Sequence, residues 1–521
     1  MPDMKLVTSS QMIQIEALSD DTGVSNDILM DKAGYQLAKV AISSVGVVSG
    51  VKCLVLIGPG NNGSDGLVAA GHLIRDGAEV YAAILGSRPV PDPRMLNAID
   101  AGVTTIKVEQ YSDLIEIVQN APLIIDAVFG TGVNRIIQGN LAKYLKLVSD
   151  FAPPERKIIA ADIPSGVDAD TGQIDPSTLY ADHTVAFGYP KIGNVIYPGS
   201  VATGELTVAD IGIAHGLDKN IKTYLMEPDF VRNVLPRRQL DSNKGTFGKV
   251  MIVGGSENFV GAVGLAAYSS LKSGAGLATV AAPSNITLGV ASIVPEATLI
   301  NLPIGESGTI DGWPAAREIY RRMEDYSVLL VGCGMGVSNQ AHLLISNLLL
   351  SSVDLSVPVV IDADGLNMLS SHSRWWDQLP EDCVLTPHPG EMSRMTGLSV
   401  TRIQNDRLEI ARKFSAKWGR ILVLKGANSL VALPDGKLWV SDISTPSLSS
   451  AGTGDVLAGL IAGLIAQGLS ASDAAISGVY IHGIAGEFTR EKLGDSGTVA
   501  SDVIFEIPLV MNMIRQDMKT L

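Results

Sequence analysis

Short apolar runs rich in β-branched residues alternate with amphipathic stretches of helical length along both halves of the 521-residue chain. Most of the apolar runs end at a glycine or a proline. This alternation is typical of parallel strands whose two faces are covered by helices. We therefore predict an α/β fold made of two doubly wound domains. In the first half the predicted strands are residues 52–57, 80–85, 123–129 and 157–163, preceded by helices near residues 10–18 and 26–45.

The same pattern restarts in the second half of the chain. Between the halves, residues 215–244 are polar, charged and interrupted by Pro228 and Pro236. Because domain boundaries usually fall in such segments, we predict a first domain over residues 1–220 and a second over residues 230–521. The predicted strands of the second domain are residues 249–253, 277–281, 328–331, 359–361, 384–386 and 421–424.

The chain is acidic, with 54 Asp and Glu against 39 Lys and Arg and a formal net charge of -15. An acidic surface repels phosphate backbones and anionic lipids, so neither nucleic acid nor a membrane is an expected partner. The three cysteines lie far apart in the sequence, and no apolar run is long enough to span a bilayer. We expect a cytoplasmic protein in a reducing setting, and we also expect a homo-oligomer.

A glycine-rich loop, Gly60-Asn-Asn-Gly-Ser-Asp-Gly66, follows the first predicted strand. We predict that it leads into a helix beginning near Asp65, so that unpaired backbone N–H groups face a bound phosphate. The glycines also fit the dinucleotide pattern GxGxxG, but no acidic residue stands at the end of the second strand, where this chain has Arg88. Two alternatives stay open: Arg88 binds a 2′-phosphate, or the glycines only make a tight turn.

Two further acids stand at predicted strand ends. Asp126 opens the segment Asp126-Ala-Val-Phe-Gly-Thr-Gly132, and Asp162 opens Asp162-Ile-Pro-Ser-Gly-Val-Asp168. Ligands of doubly wound sheets bind beyond the carboxyl ends of the strands, so the three loops are predicted to line one crevice. Each acid taken alone is equally compatible with a helix-capping role.

Together with Phe187-Gly-Tyr-Pro-Lys191, these segments resemble, in the same order, the NAD(P)H-hydrate epimerase family. The resemblance covers residues 1–220 and implies a Rossmann-like epimerase domain that binds K⁺ through Asn62, Asp126 and Ser165. It implies that Asp162 assists proton transfer at the hydrated carbon of the nicotinamide ring. Ser64 stands where the family usually has glycine, and we expect activity to be retained. The implied substrate contacts are Asn61, Asn62, Gly63, Ser64, Asp65, Gly130, Thr131, Gly132, Val133, Asn134, Arg135, Ile136 and Asp162.

The strongest chemical signal in the second half is Gly452-Thr-Gly-Asp455, which precedes an apolar helical run over residues 456–466. Glycines before a helix leave N–H groups unpaired, and these can stabilise a phosphoryl group in transfer. Asp455 lies in the first turn and suits a base that deprotonates an attacking hydroxyl. The alternative is a carboxylate that only complements the helix dipole.

Four further segments, residues 244–255, 360–367, 385–391 and 423–428, resemble the ribokinase-like NAD(P)H-hydrate dehydratases over residues 230–521. The resemblance implies that ADP, bound with Mg²⁺, phosphorylates the hydroxyl of hydrated NADH or NADPH, with Asp455 as the base. Loss of phosphate then restores the reduced nicotinamide. Cys333 stands where the family commonly has proline. The implied nucleotide contacts are Lys425, Gly426, Ala427, Asn428, Ser429 and Gly454, and the implied contacts to the hydrated cofactor are Ala262, Gly334, His388 and Asp455.

Two other functions stay open from the sequence. The Gly-Thr-Gly-Asp loop alone also serves vitamin and sugar kinases, and the first domain could be a silent dinucleotide-binding module. The segment around His388 and the fused first domain favour repair over a plain kinase, and the acids Asp65, Asp126 and Asp162 favour an active epimerase. The sequence has no GxxxxGK[ST] motif, which disfavours a P-loop kinase.

Overall fold

The computed structural model describes residues 3–108, 112–132, 136–306, 308–351 and 355–517. The chain forms two compact units, and it passes from the first, Met4–Thr223, to the second between Thr223 and Tyr224. Each unit has its own sheet.

The first unit is built on a parallel sheet that has seven strands within the described residues. The strands are β1 (Lys52–Ile57), β2 (Glu79–Ile84), β3 (Thr104–Lys107), β4 (Leu123–Ala127), β5 (Lys157–Ala161), β6 (His183–Phe187) and β7 (Glu205–Ala209). The helices are α1 (Ser9–Asp21), α2 (Asn26–Val45), α3 (Asn61–Arg75), α4 (Pro93–Asp100), α5 (Ser112–Asn120), α6 (Gly139–Phe151), α7 (Ile192–Val195) and α8 (Gly199–Thr203).

The strand order, β3-β2-β1-β4-β5-β6-β7, reverses direction between β1 and β4. Consecutive residues of β1 point to opposite faces: Val55 and Ile57 join the apolar cluster on one face, and Leu54 and Leu56 join the cluster on the other. Helices cover both faces, which explains why the strands read as continuous apolar runs. The carboxyl ends of β1, β4 and β5 are therefore neighbours at the point where ligands bind in such sheets.

The second unit is built on a sheet that has ten strands in the described part of the chain. The strands are β8 (Thr223–Leu225), β9 (Lys249–Val253), β10 (Leu277–Pro283), β11 (Thr298–Leu302), β12 (Val328–Val331), β13 (Val359–Ile361), β14 (Cys383–Leu385), β15 (Ile421–Leu424), β16 (Leu430–Ala432) and β17 (Leu438–Val440). Their order in the sheet is β11-β10-β9-β12-β13-β14-β15-β16-β17-β8.

Helices lie along the chain between and after these strands. They are α9 (Pro228–Val234), α10 (Val260–Lys272), α11 (Thr287–Ile293), α12 (Gly312–Tyr320), α13 (Asn339–Leu349), α14 (Ala363–Leu369), α15 (Pro389–Thr396), α16 (Val400–Asn405), α17 (Arg407–Trp418), α18 (Thr453–Ala466), α19 (Ala471–Leu493) and α20 (Ala500–Arg515). Short 3₁₀ turns occupy Lys244–Phe247, Met323–Asp325, Trp375–Asp377 and Pro446–Ser449.

The predicted strands of the second sheet pair in parallel, but one end of the sheet adds antiparallel strands that were not predicted. β15 pairs with β16, and β16 with β17, in antiparallel fashion. The connecting residues, 425–429 and 433–437, are too few for the crossover that a parallel pair needs, but they suit hairpins. The first of these hairpin loops carries Lys425, so the antiparallel turn brings a predicted nucleotide residue to the sheet edge.

Helix α18 is buried along almost its whole length. Glycines allow α10 to approach it: a Cβ at Gly459 would lie 2.2 Å from the Ala266 carbonyl oxygen, and one at Gly463 would lie 1.9 Å from the Ser273 hydroxyl oxygen. This packing fixes the start of α18, where Asp455 lies. Despite the apolar character of α18, the described residues contain no helix with the length and hydropathy needed to cross a membrane.

Candidate active sites

The glycine-rich loop of the first unit is helical sooner than predicted. Helix α3 begins at Asn61, not near Asp65. Gly60 is its extended N-cap residue, and Asn61 and Asn62 belong to the first turn. A Cβ at Gly58 would lie 1.8 Å from the Val128 carbonyl oxygen, and one at Gly63 would lie 2.2 Å from the Gly58 carbonyl oxygen. Close packing thus accounts for both glycines, whereas it does not explain why the neighbouring Asp65 is buried.

Arg88 holds this loop in place. Its buried guanidinium donates to the Gly58 carbonyl oxygen at 2.6 Å and to Ser64 Oγ at 2.8 Å, and it pairs with Asp92 at 2.6 Å. The side chain is therefore engaged with the protein and not free for a 2′-phosphate, as the alternative reading required. Ser64, which replaces the usual glycine of the family, supplies one of the bonds that anchor Arg88.

The three predicted potassium ligands lie at the carboxyl edge of the sheet. Asp126 is completely buried and accepts from Ser165 Oγ at 2.6 Å, from the Ser165 N–H at 2.8 Å and from the Val128 N–H at 3.3 Å. Burial raises the pKa of Asp126, although the bonds from Ser165 oppose that rise. The buried Asn62 side chain lies against the same loop, since a Cβ at Gly130 would be 3.2 Å from Asn62 Oδ1.

Asp162 has an unusual backbone conformation, with φ +63°. Its Oδ1 accepts from the Phe187 N–H at 3.0 Å and from Lys191 Nζ, and its carbonyl oxygen accepts from Asn194 Nδ2 at 3.3 Å. Lys191 is wholly buried, whereas the Asp162 side chain keeps 11% of its surface exposed. Non-glycine residues with positive φ concentrate at functional sites, where the surrounding structure holds them.

Two titratable groups of this site were not predicted from the sequence as site residues: Lys191 and Glu16 of α1. Burial, followed by repulsion from Asp162 and Glu16, raises the pKa of Asp65 well above its ordinary value, while Lys191 opposes the rise. Burial and then Asp162 also raise the pKa of Glu16. The crevice thus combines a carboxyl group that favours its protonated form, Asp65, with a carboxylate paired to an ammonium, Asp162.

Most of the remaining predicted substrate contacts of the first unit follow β4 in the sequence. Gly130 and Thr131 are half-buried, Gly132 is exposed, and Ile136 exposes most of its side chain. Asn61 is exposed at the start of α3. Val133, Asn134 and Arg135 lie outside the described residues.

In the second unit, Asp455 lies in the first turn of α18, behind the left-handed Gly452 at φ +91°. Burial, followed by repulsion from Asp362, raises the pKa of Asp455 to about 6. Cys333 Sγ and a carboxylate oxygen of each of these two acids lie within 4.8 Å of one another. Burial and then Asp455 raise the pKa of the Cys333 thiol well above its ordinary value, so it stays protonated and can donate to Asp455.

Lys425 completes this charged group. Its Nζ donates to Asp362 Oδ1 at 2.6 Å and lies 3.9 Å from Glu391 Oε2. Burial disfavours the ammonium, but the two carboxylates outweigh burial and raise the pKa of Lys425. A Cβ at Gly454 would be 3.2 Å from Lys425 Nζ, so these two predicted nucleotide residues lie side by side next to Asp455.

The loop that carries Lys425 is held by Arg407, which the sequence reasoning missed. The Arg407 guanidinium donates to the carbonyl oxygens of Leu424 at 3.2 Å and Lys425 at 3.3 Å, and burial lowers its pKa to about 10. Asn428 in the same loop is buried, has φ +53° and donates to the Ser441 carbonyl oxygen at 3.1 Å. Gly426, Ala427 and Ser429 are the other residues of this loop between β15 and β16, and Gly426 and Ala427 are exposed.

His388 caps helix α15. Its Nδ1 accepts from the Gly390 N–H at 2.9 Å, and its Nε2 lies 3.2 Å from Glu391 Oε1, while half of the side chain stays exposed. The ring is thus oriented by the turn and still available to a ligand. The other predicted cofactor contacts pack together, since Gly334 has φ +63° and a Cβ there would lie 2.8 Å from the Ala262 Cβ.

Comparison with known proteins covers both units. Residues 26–193 match the family model of the YjeF-related protein N-terminus, and residues 250–509 match that of NAD(P)H-hydrate dehydratase. A bifunctional NAD(P)H-hydrate repair enzyme of Moorella thermoacetica is 36% identical over 530 residues, which cover 99% of this chain and 98% of the relative. The chain belongs to the family of bifunctional NAD(P)H-hydrate repair enzymes. Its Escherichia coli member is 30% identical, over 88% of this chain and 85% of that protein.

A solved dehydratase also resembles part of this repair enzyme. An ADP/ATP-dependent NAD(P)H-hydrate dehydratase from Bacillus subtilis, co-crystallised with ATP and Mg²⁺, is 27% identical, with a TM-score of 0.47, covering 56% of this chain and 98% of that one. The repair enzyme family joins an epimerase to a nucleotide-dependent dehydratase, so the first unit is the epimerase and the second the dehydratase. A plain vitamin or sugar kinase would not account for relatives that match both units along nearly their whole length.

Proposed function

We propose that the chain repairs hydrated NADH and NADPH in two steps. The epimerase unit interconverts the R and S epimers at the hydrated ring carbon, and the dehydratase unit converts the S epimer to NADH or NADPH. With ADP as donor, the second step releases AMP and phosphate. The observation that carries this proposal is that each unit gathers acids into one charged cluster: the predicted Asp65 and Asp162 in the first, and in the second the predicted Asp455 with Asp362, which was not predicted.

The epimerase step needs one group that gives a proton and one that takes it. Because the hydroxyl-bearing carbon adjoins the ring nitrogen, a proton given to the hydroxyl lets water leave as the nitrogen lone pair forms a C=N bond. Water then adds to the opposite face and returns a proton to a carboxylate, so that atoms and charge balance. The raised pKa of Asp65 suits the donor, and Asp162, paired with Lys191, suits the acceptor.

The residues at the β4 edge fit a bound K⁺. Asp126 keeps one of its roughly four lone-pair directions free after three hydrogen bonds, and Asn62 offers a carbonyl oxygen in the same place. Among the described residues, the buried Asn62 Nδ2 has no hydrogen-bond partner, and because an amide N–H donor does not bind a cation, Asn62 could contribute to the site only through its oxygen. Asn62, Asp126 and Ser165 would hold the ion. When bound, K⁺ supplies positive charge that orders the two loops.

In the dehydratase step, Asp455 removes the proton of the ring hydroxyl, whose oxygen then attacks the terminal phosphoryl group of the nucleotide. Lys425 and the unpaired N–H groups at the start of α18 stabilise the charge that develops on that group. Phosphorylation replaces hydroxide, a poor leaving group, by phosphate. Phosphate then departs with the C–O bonding electrons, and loss of a proton from the neighbouring carbon forms the C=C bond of the reduced nicotinamide.

Mg²⁺ enters this proposal with the phosphates of the nucleotide. Two side chains with oxygen atoms that could bind Mg²⁺, Glu391 and Asn367, are already engaged within the protein. His388 contacts both carboxylate oxygens of Glu391, and the Asn367 oxygen accepts from Arg394 Nε at 2.7 Å. We propose ADP as the donor, since the order epimerase then dehydratase resembles fusions that use it. We also propose a cytoplasmic setting, which is supported by three buried cysteines that form no disulfide, and a homo-oligomer.

Two variants of the full chain test the division of labour. With the purified R epimer and ADP, Asp162→Asn should stop the formation of NADH although added S epimer is still consumed. Asp455→Asn should stop NADH formation from both epimers while R and S still interconvert. If Asp162→Asn, with an intact fold, interconverts the epimers at the wild-type rate, the proposed role of Asp162 is wrong and Asp65 becomes the candidate.

A further inference from the structure

We propose that Lys191 is a positioning residue of the epimerase, which places its positive charge against Oδ1 of Asp162 and leaves the other oxygen, Oδ2, directed toward the hydrated ring. This inference rests on the proposed role of Asp162 as the proton-accepting group. Lys191 itself never touches the substrate.

A positioning role requires that Lys191 be shielded from the substrate and that Asp162 be accessible to it, and the exposure of the two side chains agrees with this. Lys191 has no exposed surface, whereas the Asp162 side chain keeps 11%. The Lys191 ammonium contacts Asp162 Oδ1 and donates to the Phe187 carbonyl oxygen at 3.2 Å. A ligand in the crevice can therefore reach the carboxylate but not the ammonium behind it.

The two oxygens of Asp162 have different surroundings. Oδ1 is fixed by Lys191 and by the Phe187 N–H at 3.0 Å. In the described part of the chain, no donor lies within hydrogen-bond distance of Oδ2. A carboxylate held by one oxygen presents the other in a defined direction, which is what proton transfer to a bound ring needs.

The backbone of Asp162 is fixed by the same neighbourhood. Its φ of +63° is unfavourable for a residue that carries a Cβ, and the conformation is held by two hydrogen bonds. The Asp162 N–H donates to the Val185 carbonyl oxygen at 2.8 Å, and Asn194 Nδ2 donates to the Asp162 carbonyl oxygen at 3.3 Å. Asn194 and Lys191 belong to the same turn, since the Lys191 N–H donates to Asn194 Oδ1 at 2.8 Å. One short segment thus positions both the backbone and the carboxylate of Asp162.

The electrostatics of the crevice explain why a lysine is needed there. Asp162 faces two further carboxyl groups, Asp65 and Glu16, and Lys191 is the cation in direct contact with it. Arg94, like Lys191, opposes the rise in the pKa of Asp65 that burial causes. Three acids in one partly buried crevice repel each other's charge, so a carboxylate without a cation partner tends to hold its proton and lose its function as a base.

The test compares Lys191→Met, Asp162→Asn and the double variant in the full chain, with Lys157→Met as the matched control. Lys157 pairs with Asp182 at 3.6 Å at the exposed start of β5, and its side chain is far more open to solvent than that of Lys191. Lys191→Met should lower the kcat of epimerisation about 10²-fold with little change in KM, and it should move the acidic limb of the pH–rate profile to higher pH. In the Asp162→Asn background the same change should have no further effect, and Lys157→Met should behave as wild type.

A folded Lys191→Met variant with the wild-type pH profile overturns the inference, whatever its kcat. So does an additive loss in the double variant, because it would mean that Lys191 acts independently of Asp162. Near-UV circular dichroism checks the fold, and Lys191→Gln, which keeps a donor but no charge, should give the same displaced profile if Lys191→Met does not fold. A fully active Asp162→Asn variant would instead refute the proposed function of Asp162.

Discussion

Replacing Asp455 by Asn should make the dehydratase unit inactive and more stable at the same time. Burial and the neighbouring Asp362 raise the pKa of Asp455 from 3.8 to about 6. At a pH above both values, this difference corresponds to about 3 kcal/mol that the ionised side chain costs the folded state. Asn has the same shape and no charge, and because Asp455 is partly exposed we expect a gain in unfolding free energy of about 2 kcal/mol.

The pH dependence of that gain has a definite sign. Below pH 3.8 Asp455 is protonated in both the folded and the unfolded chain, so the substitution should change stability little. As the pH rises to about 6, the unfolded chain releases its proton first, and the wild type loses stability relative to the variant. Above that pH the difference stays constant. The same pKa places the acidic limb of the wild-type dehydration rate near pH 6, since a base must be ionised to act.

Tryptophan fluorescence provides an assay that follows one unit within the full chain. All five tryptophans lie beyond residue 300, in the second unit, so urea unfolding followed by their emission reports the dehydratase alone. Comparison of wild type and Asp455→Asn at pH 4.5 and pH 8 should show a larger gap at the higher pH, and dehydration should fall about 10²- to 10⁴-fold. A variant that is less stable at pH 8, or that still dehydrates at the wild-type rate, would show that Asp455 only caps the helix.

Three further outcomes follow from the two sites. Lys425→Ala should chiefly weaken nucleotide binding, because a charge directed at the phosphates is lost, and calorimetry should show a raised Kd. A changed kcat at saturating nucleotide with an unchanged Kd would contradict this. Exchange of K⁺ for Na⁺ should slow epimerisation in the wild type but not in Asp126→Asn, and equal responses of the two would argue against the potassium site. ADP should be used faster than ATP, with AMP as the product by chromatography, and faster repair with ATP would refute the proposed donor.

Much of the fold follows from local patterns in the sequence. The strands at Lys52–Ile57, Lys249–Val253, Val328–Val331 and Ile421–Leu424 have the predicted bounds, because apolar runs buried on both faces end sharply at polar or glycine residues. The short strands β16 and β17 were missed, since three-residue runs after a hairpin loop carry no periodic signal. The start of α3 was misplaced because its first turn consists of asparagines and glycine, which are typical of loops.

Members of the candidate sites could be predicted from the sequence only where they belong to a motif. Asp126, Asp162, Lys425 and Asp455 stand at strand or helix ends, where topology brings chemistry together. Glu16 reaches the crevice from α1, which is distant in the sequence, and in an amphipathic helix it is indistinguishable from a surface acid. Lys191 and Arg407 act from behind the sites, through other side chains or backbone carbonyls, and such roles depend on burial that a sequence pattern does not encode.

The most direct test of the account follows a single sample of the purified R epimer of hydrated NADH with the full chain. Before nucleotide is added, the S epimer should appear and absorbance at the reduced-nicotinamide band should stay flat. After addition of ADP and Mg²⁺, that absorbance should rise until all of the hydrate is converted, with one AMP and one phosphate released for each NADH. Recovery that stops while R epimer remains would contradict the epimerase assignment, and NADH formed without consumption of nucleotide would contradict the dehydratase assignment.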